Sequence, residues 1–124
     1  MKRIAVLISN KGKGTNLQAI IDAVESGIIS AKIVVVVSDA QDAFGVKRAK
    51  EHKLKVEICS EKEDLPLILK KYNPDYIALA GWKQTILDEV VFAFPNRILN
   101  VHPGLVPDSP SGKINVVRVV LFKN

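Results

Sequence analysis

Five consecutive aliphatic residues, Ile33-Val34-Val35-Val36-Val37, constrain this chain more than any other feature. A strand with one wet face alternates apolar and polar residues. A run without alternation belongs to a strand covered on both sides, the situation of a parallel sheet sandwiched by helices. Ala31–Val37 is therefore read as such a strand, and the short apolar run Ile4–Ile8 as a second. Between them, Leu17, Ile20, Ile21 and Val24 recur at helical spacing, which predicts a helix over Asn16–Ser26 stopped by Gly27. The same pattern continues: helix Ala43–Lys53, strand Lys55–Ile58, helix Glu61–Tyr72 ended by Asn73-Pro74, strand Tyr76–Ala80, loop Gly81–Gln84, helix Ile86–Phe94, and strand Arg97–Val101 after the turn Pro95-Asn96. Such alternation implies an α/β fold with an open, mainly parallel sheet and helices on both faces.

A chain of 124 residues holds one domain. Its character changes after about Pro107. Residues 1–107 read as the α/β unit and 108–124 as an atypical tail. In the tail a turn-rich Asp108-Ser109-Pro110-Ser111-Gly112 precedes a β-rich run, Ile114–Phe122, interrupted by Arg118. That run is expected to be an extra edge strand, with Lys113 and Arg118 discouraging aggregation. The longest apolar run is far too short to cross a membrane. Met1-Lys2-Arg3-Ile4 lacks the apolar core of a signal peptide, so a cytoplasmic protein is expected. A lone Cys59 excludes an internal disulfide and a cysteine-cluster metal site. The net charge of +5 favours an anionic ligand. The lysines are spread along the chain, however, and Lys47, Arg48 and Lys50 read as a solvated helix face, so no nucleic-acid site is expected. His52 is likewise expected to face solvent.

Two segments carry chemistry. The first is the glycine-bearing loop before the first helix, Gly12-Lys13-Gly14-Thr15-Asn16. Glycines let backbone amides approach an anion, and a helix start with its dipole favours a phosphate. Thr15 and Asn16 supply hydrogen bonds to the ligand or cap the helix. The plain structural alternative is a tight turn. The Walker pattern fails because Gly14 follows Gly12-Lys13. A dinucleotide fingerprint would need a third glycine where Leu17 stands, although Asp39 imitates its ribose-binding acid, so a dinucleotide oxidoreductase is a rival reading. The second segment is Asn100-Val101-His102, leading into Pro103-Gly104. Residues i and i+2 of a strand share a face. An amide and an imidazole there suit stabilisation of an oxyanion and movement of a proton, as in acyl or formyl transfer. No nucleophilic Ser or Cys stands beside the pair, which favours direct attack by a substrate amine.

Taken together, the segments Gly-Thr-Asn-Leu-Gln-Ala-Ile (14–20), Asp-Ala-Phe-Gly (42–45) with Arg48-Ala49, Leu-Ala-Gly (79–81) and Ile-Leu-Asn-Val-His-Pro-Gly-Leu-Val-Pro (98–107) occur in one order. The chain resembles the phosphoribosylglycinamide (GAR) formyltransferases, within the wider formyltransferase N-terminal domain family, from about Ile4 to Pro107. The resemblance implies a Rossmann-like, formyltransferase-type fold that is incomplete at its C-terminus relative to the family. It implies substrate-phosphate binding by Gly14, Thr15 and Asn16, and folate binding by Gly81, Trp82, Lys83, Gln84, Thr85, Ile86 and Leu87 together with Asn100. It implies catalysis by Asn100 and His102, 10-formyltetrahydrofolate as formyl donor, GAR as acceptor, and no metal. Two departures accompany it. The family's later catalytic aspartate has no counterpart here, and Lys83-Gln84-Thr85 replaces a commoner apolar-Arg-apolar run. Further readings follow from these departures: a non-catalytic phosphosugar- or nucleotide-binding remnant, half of a split enzyme, or an interaction module whose last strand pairs with a second copy or a complementing chain.

Overall fold

The computed structural model describes residues 1–9, 14–105 and 115–122, with side chains through Asn100. The expected phosphate-loop residues Gly12 and Lys13 lie outside the described residues, as do the side chain of His102 and the turn-rich segment 108–112. Strands β1 (Lys2–Ile8), β2 (Ala31–Ser38), β3 (Val56–Ile58), β4 (Tyr76–Leu79), β5 (Ile98–Leu105) and β6 (Asn115–Phe122) form one sheet in the order β3-β2-β1-β4-β5-β6. The first five are parallel, and β6 runs antiparallel to β5. Helices α1 (Thr15–Glu25), α2 (Phe44–Glu51), α3 (Leu65–Tyr72) and α4 (Asp88–Ala93) fill the crossovers.

The apolar runs sort themselves onto two faces. Val6, Ile8, Ile33, Val36 and Ala78 pack with Leu17, Ile20 and Ile21 of α1 and Val46 and Ala49 of α2. Ala5, Leu7, Val35, Val37, Ile77, Leu79 and Ile98 pack with Leu65 and Leu69 of α3 and Val90 of α4, extended by Trp82 and Phe94. The unbroken Ile33–Val37 run is thus explained, since alternate residues feed different layers. One irregularity breaks the alternation: the register shifts between Ile4 and Ala5, whose partners are Ile33 and Val35. Val34 is the extra residue of this bulge and falls in the same layer as Val35.

The expected elements are present, with informative differences. The third helix is split. A 3-10 turn covers Lys62–Asp64, and α3 begins at Leu65, where Pro66 suits the first turn of a new helix. Asn73 then ends α3 in a left-handed conformation (φ 46°). Helix α4 starts at Asp88, so the connection after β4 takes in Ile86 and Leu87. Strand β5 does not end at Val101 but continues through Pro103-Gly104 to Leu105. Its antiparallel partner carries it there, with Pro103 opposite Val117 and Gly104 opposite Val116. Strand β4 accompanies β5 only as far as Asn100, and proline is tolerated on a strand with an open side.

Candidate functional site at the carboxyl edge of the sheet

The chain leaves β1 towards β2 on one side and returns at β4 on the other. The carboxyl ends of β1 and β4 therefore flank a topological switch point, the crevice where open α/β sheets take ligands. Leu7, Leu79 and Asn100 are register partners across three adjacent strands. Asn100 thus stands at the carboxyl rim, half-buried, and His102 occupies a β5 position two residues beyond the last residue of β4. The loop after β4 turns back over the crevice. Ala80 N–H donates to the Leu7 carbonyl (2.8 Å), and Lys83 N–H donates to Oγ of the buried Ser9 (2.9 Å). Gly81 takes φ +90° in that turn, Trp82 is buried beneath it, and Lys83 and Thr85 are exposed. The residues Gly81–Leu87 therefore all lie in the β4–α4 connection, beside the β1 loop.

Gly14 immediately precedes α1, at φ +71°. Thr15 is the exposed first residue of the helix and Asn16 the half-buried second. Neither caps the helix: the cap position belongs to Gly14, with no side-chain capping bond, which corrects the capping expectation. Among the described residues no side chain caps the amides of the first turn. A Cβ on Gly14 would lie 2.9 Å from the Gly45 Cα and 3.0 Å from Arg48 Cδ, so backbone conformation and crowding both require glycine. Gly45 has the same function from the α2 side, where a Cβ would strike Ile8. The sequence segments 14–20 and 42–49 are therefore two sides of one contact between helix starts.

Arg48 and His52 depart from the solvated face expected of them. Lys47 and Lys50 are exposed, but Arg48 is half-buried over Gly14 and donates to Gln18 Oε1 (3.2 Å). Gln18 Nε2 donates to Asp22 (2.9 Å) and lies 3.4 Å from His52 Nε2, while His52 Nδ1 is 2.9 Å from Glu25. Helical spacing predicts which residues share a helix face but not which second helix meets that face. A glycine and an arginine three apart on α2 were the signal. Leu17, where a dinucleotide fold would have its third glycine, is fully buried against the sheet, which argues against close dinucleotide-type packing there. Cys59, just after β3, is buried. Burial pushes its thiol pKa up, and Asp64, Asp39, Glu61 and Glu63 push it further. Among the described residues no group of three or more His, Cys, Asp or Glu could hold a metal ion, and no helix is long and apolar enough to cross a membrane.

Comparison with known proteins agrees with this architecture. A phosphoribosylglycinamide formyltransferase of Haemophilus influenzae is 40% identical over 116 residues, covering 86% of this chain and 54% of that protein. The Escherichia coli protein of the same name is 39% identical with the same coverage. The chain thus spans about half the length of the curated relatives it matches. Among solved structures, glycinamide ribonucleotide transformylase 1 from Symbiobacterium toebii superposes with a TM-score of 0.75 at 37% identity, over 90% of this chain and 57% of that one. The formyl transferase profile matches residues 2–122, past the change of character at Pro107, and the chain belongs to the formyl transferase family.

Proposed function

We propose that this site transfers a formyl group from 10-formyltetrahydrofolate to the amine of GAR, a step of purine (IMP) synthesis in the cytoplasm. The supporting observation is convergence. The uncapped start of α1, the 81–87 connection and the Asn100–His102 stretch of β5 all lie at one edge of the sheet, in a chain 40% identical to a GAR formyltransferase over most of its length. In this reading Gly14, Thr15 and Asn16 hold the GAR phosphate, and Gly81–Leu87 hold the folate. The GAR amine attacks the formyl carbon, and Asn100 and His102 donate hydrogen bonds to the oxyanion that forms. His102 passes the amine proton to N10 of the folate as the C–N10 bond breaks, giving N-formyl-GAR and tetrahydrofolate.

A single-turnover assay with GAR and 10-formyltetrahydrofolate tests the reading. His102→Ala should lower the rate by at least about 100-fold, the scale of a lost acid–base or oxyanion group, with GAR affinity kept. Unchanged turnover in the variant would refute the assignment. A second reading starts from β6, the antiparallel strand at the end of the sheet: a phosphosugar-binding remnant, or half of a split enzyme whose complement, or second copy, pairs along that strand. GAR binding without turnover, from folded protein, would select it.

A further inference from the structure

The start of α1 concentrates positive charge. Its first turn contains no acidic residue and no side-chain cap, so its amides and helix dipole are not offset from within the helix. Arg48 is packed against this same point. Its Cδ and Nε lie 3.0 and 3.1 Å from where a Cβ on Gly14 would be. An anion bound at this helix start would meet the amides, the dipole and the guanidinium together. The side chain is not loosely held. Gly45 lets α2 come close enough, Arg48 lies one helical turn further along the same helix, and Gln18 accepts a hydrogen bond from Arg48 Nη1 (3.2 Å). Gln18 is held in turn by Asp22 and His52.

We propose that Arg48 is a phosphate-recognition residue of this site, one that makes the helix start Gly14–Asn16 selective for a phosphate monoester dianion over singly charged anions. The inference rests on the phosphosugar reading of Gly14–Asn16 and adds to it a charge from the second helix. Gln18 is then a positioning residue that aims the guanidinium.

The test is calorimetric titration at pH 8 with two probes: ribose 5-phosphate, and its phosphate methyl ester, which carries one charge fewer. The intact protein is compared with Arg48→Lys, Arg48→Met and Gln18→Ala, each first shown to unfold cooperatively. The intact protein should prefer the monoester. Arg48→Met should weaken the monoester at least about tenfold, the scale of one charge-assisted hydrogen bond, and the methyl ester much less. Arg48→Lys should fall between, and Gln18→Ala should reproduce a milder form of the Arg48→Met pattern. If Arg48→Met does not fold, the ratio of the two affinities in Arg48→Lys decides. Equal losses for both probes would make Arg48 merely structural and overturn the proposal, as would unchanged binding or an intact protein that binds neither probe. GAR turnover with binding insensitive to Arg48 would sink this inference and leave the proposed function standing. Arg48-dependent binding without formyl transfer would do the reverse.

Discussion

The two helical layers of this molecule are built differently. The α3/α4 layer is held by bulk. Leu65, Leu69, Phe94 and Trp82 fill the space over the sheet, and its polar ties include a cluster around Glu57 and the hydrogen bonds of Arg3 to the end of α3. The α1/α2 layer also has an apolar floor, but its helices meet through two glycines at the carboxyl edge and, from there along their length, through a chain of polar side chains, Arg48, Gln18, His52 and Glu25. Large side chains maximise buried area, while small ones expose backbone amides and admit a ligand. On the proposed reading of the α1 start, the contrast separates a layer held mainly by bulk from one that would recognise the phosphate.

The largest expected effect falls in the first. Leu69 is fully buried in α3, and Leu69→Ala should cost about 3 kcal/mol of unfolding free energy, as for other leucine truncations in cores. Urea denaturation measures it. Affinity for ribose 5-phosphate, measured on the folded fraction, should not move, and a matching loss of affinity would break the division. Gly14→Ala sharpens it from the other side. A side chain at φ +71° against Gly45 should cost about 1–2 kcal/mol of stability, and binding of the phosphate probe, measured on the folded fraction, should fall by at least about tenfold, a loss that Leu69→Ala with its larger destabilisation does not share.

The smallest effect comes from the polar cluster of the stabilising layer. Tyr72 Oη donates to Glu57 Oε1 (2.7 Å), and Lys71 lies 3.0 Å from the same oxygen. The Tyr72 hydroxyl first, then Lys71, holds the Glu57 carboxyl below its ordinary value of 4.5. The same bond raises Tyr72 above its ordinary 10.0. A depressed acid stabilises the fold above pH 4.5, and that contribution is lost as pH falls through the lower native value. A raised phenol stabilises below pH 10.0, and the contribution is lost as pH climbs through the higher one. Tyr72→Phe should therefore cost about 1 kcal/mol at neutral pH, discounted for partial exposure, with the difference from the unchanged protein shrinking at both ends of the scale. A constant difference across the range would assign the loss to packing instead.

Legibility in the sequence followed the same division. Strands buried on both faces announce themselves by unbroken aliphatic runs, and helices by their spacing, so the alternation was readable at the level of single segments. Element ends were less so. The reach of β5 to Leu105 depends on its pairing with β6, and no property of Pro103-Gly104 encodes that partner. Asn100 at the rim was legible because a buried strand and its end are local features. The packing of Arg48 on Gly14 was not, because it joins residues 34 apart whose proximity depends on which helices share a face. His52 was missed for the same reason, its partners being on α1.

The bond from Lys83 to Ser9 spans 74 positions of the chain. During vectorial synthesis, β1, α1 and β2 emerge and can assemble early, whereas the crevice has only one wall until β4 and its following loop have left the ribosome. The loop before α1 thus exists well before the crevice beside it has its second wall. Between those moments β1 has its β4-side edge unpaired, the interval in which a nascent chain is most open to pairing with the wrong strand.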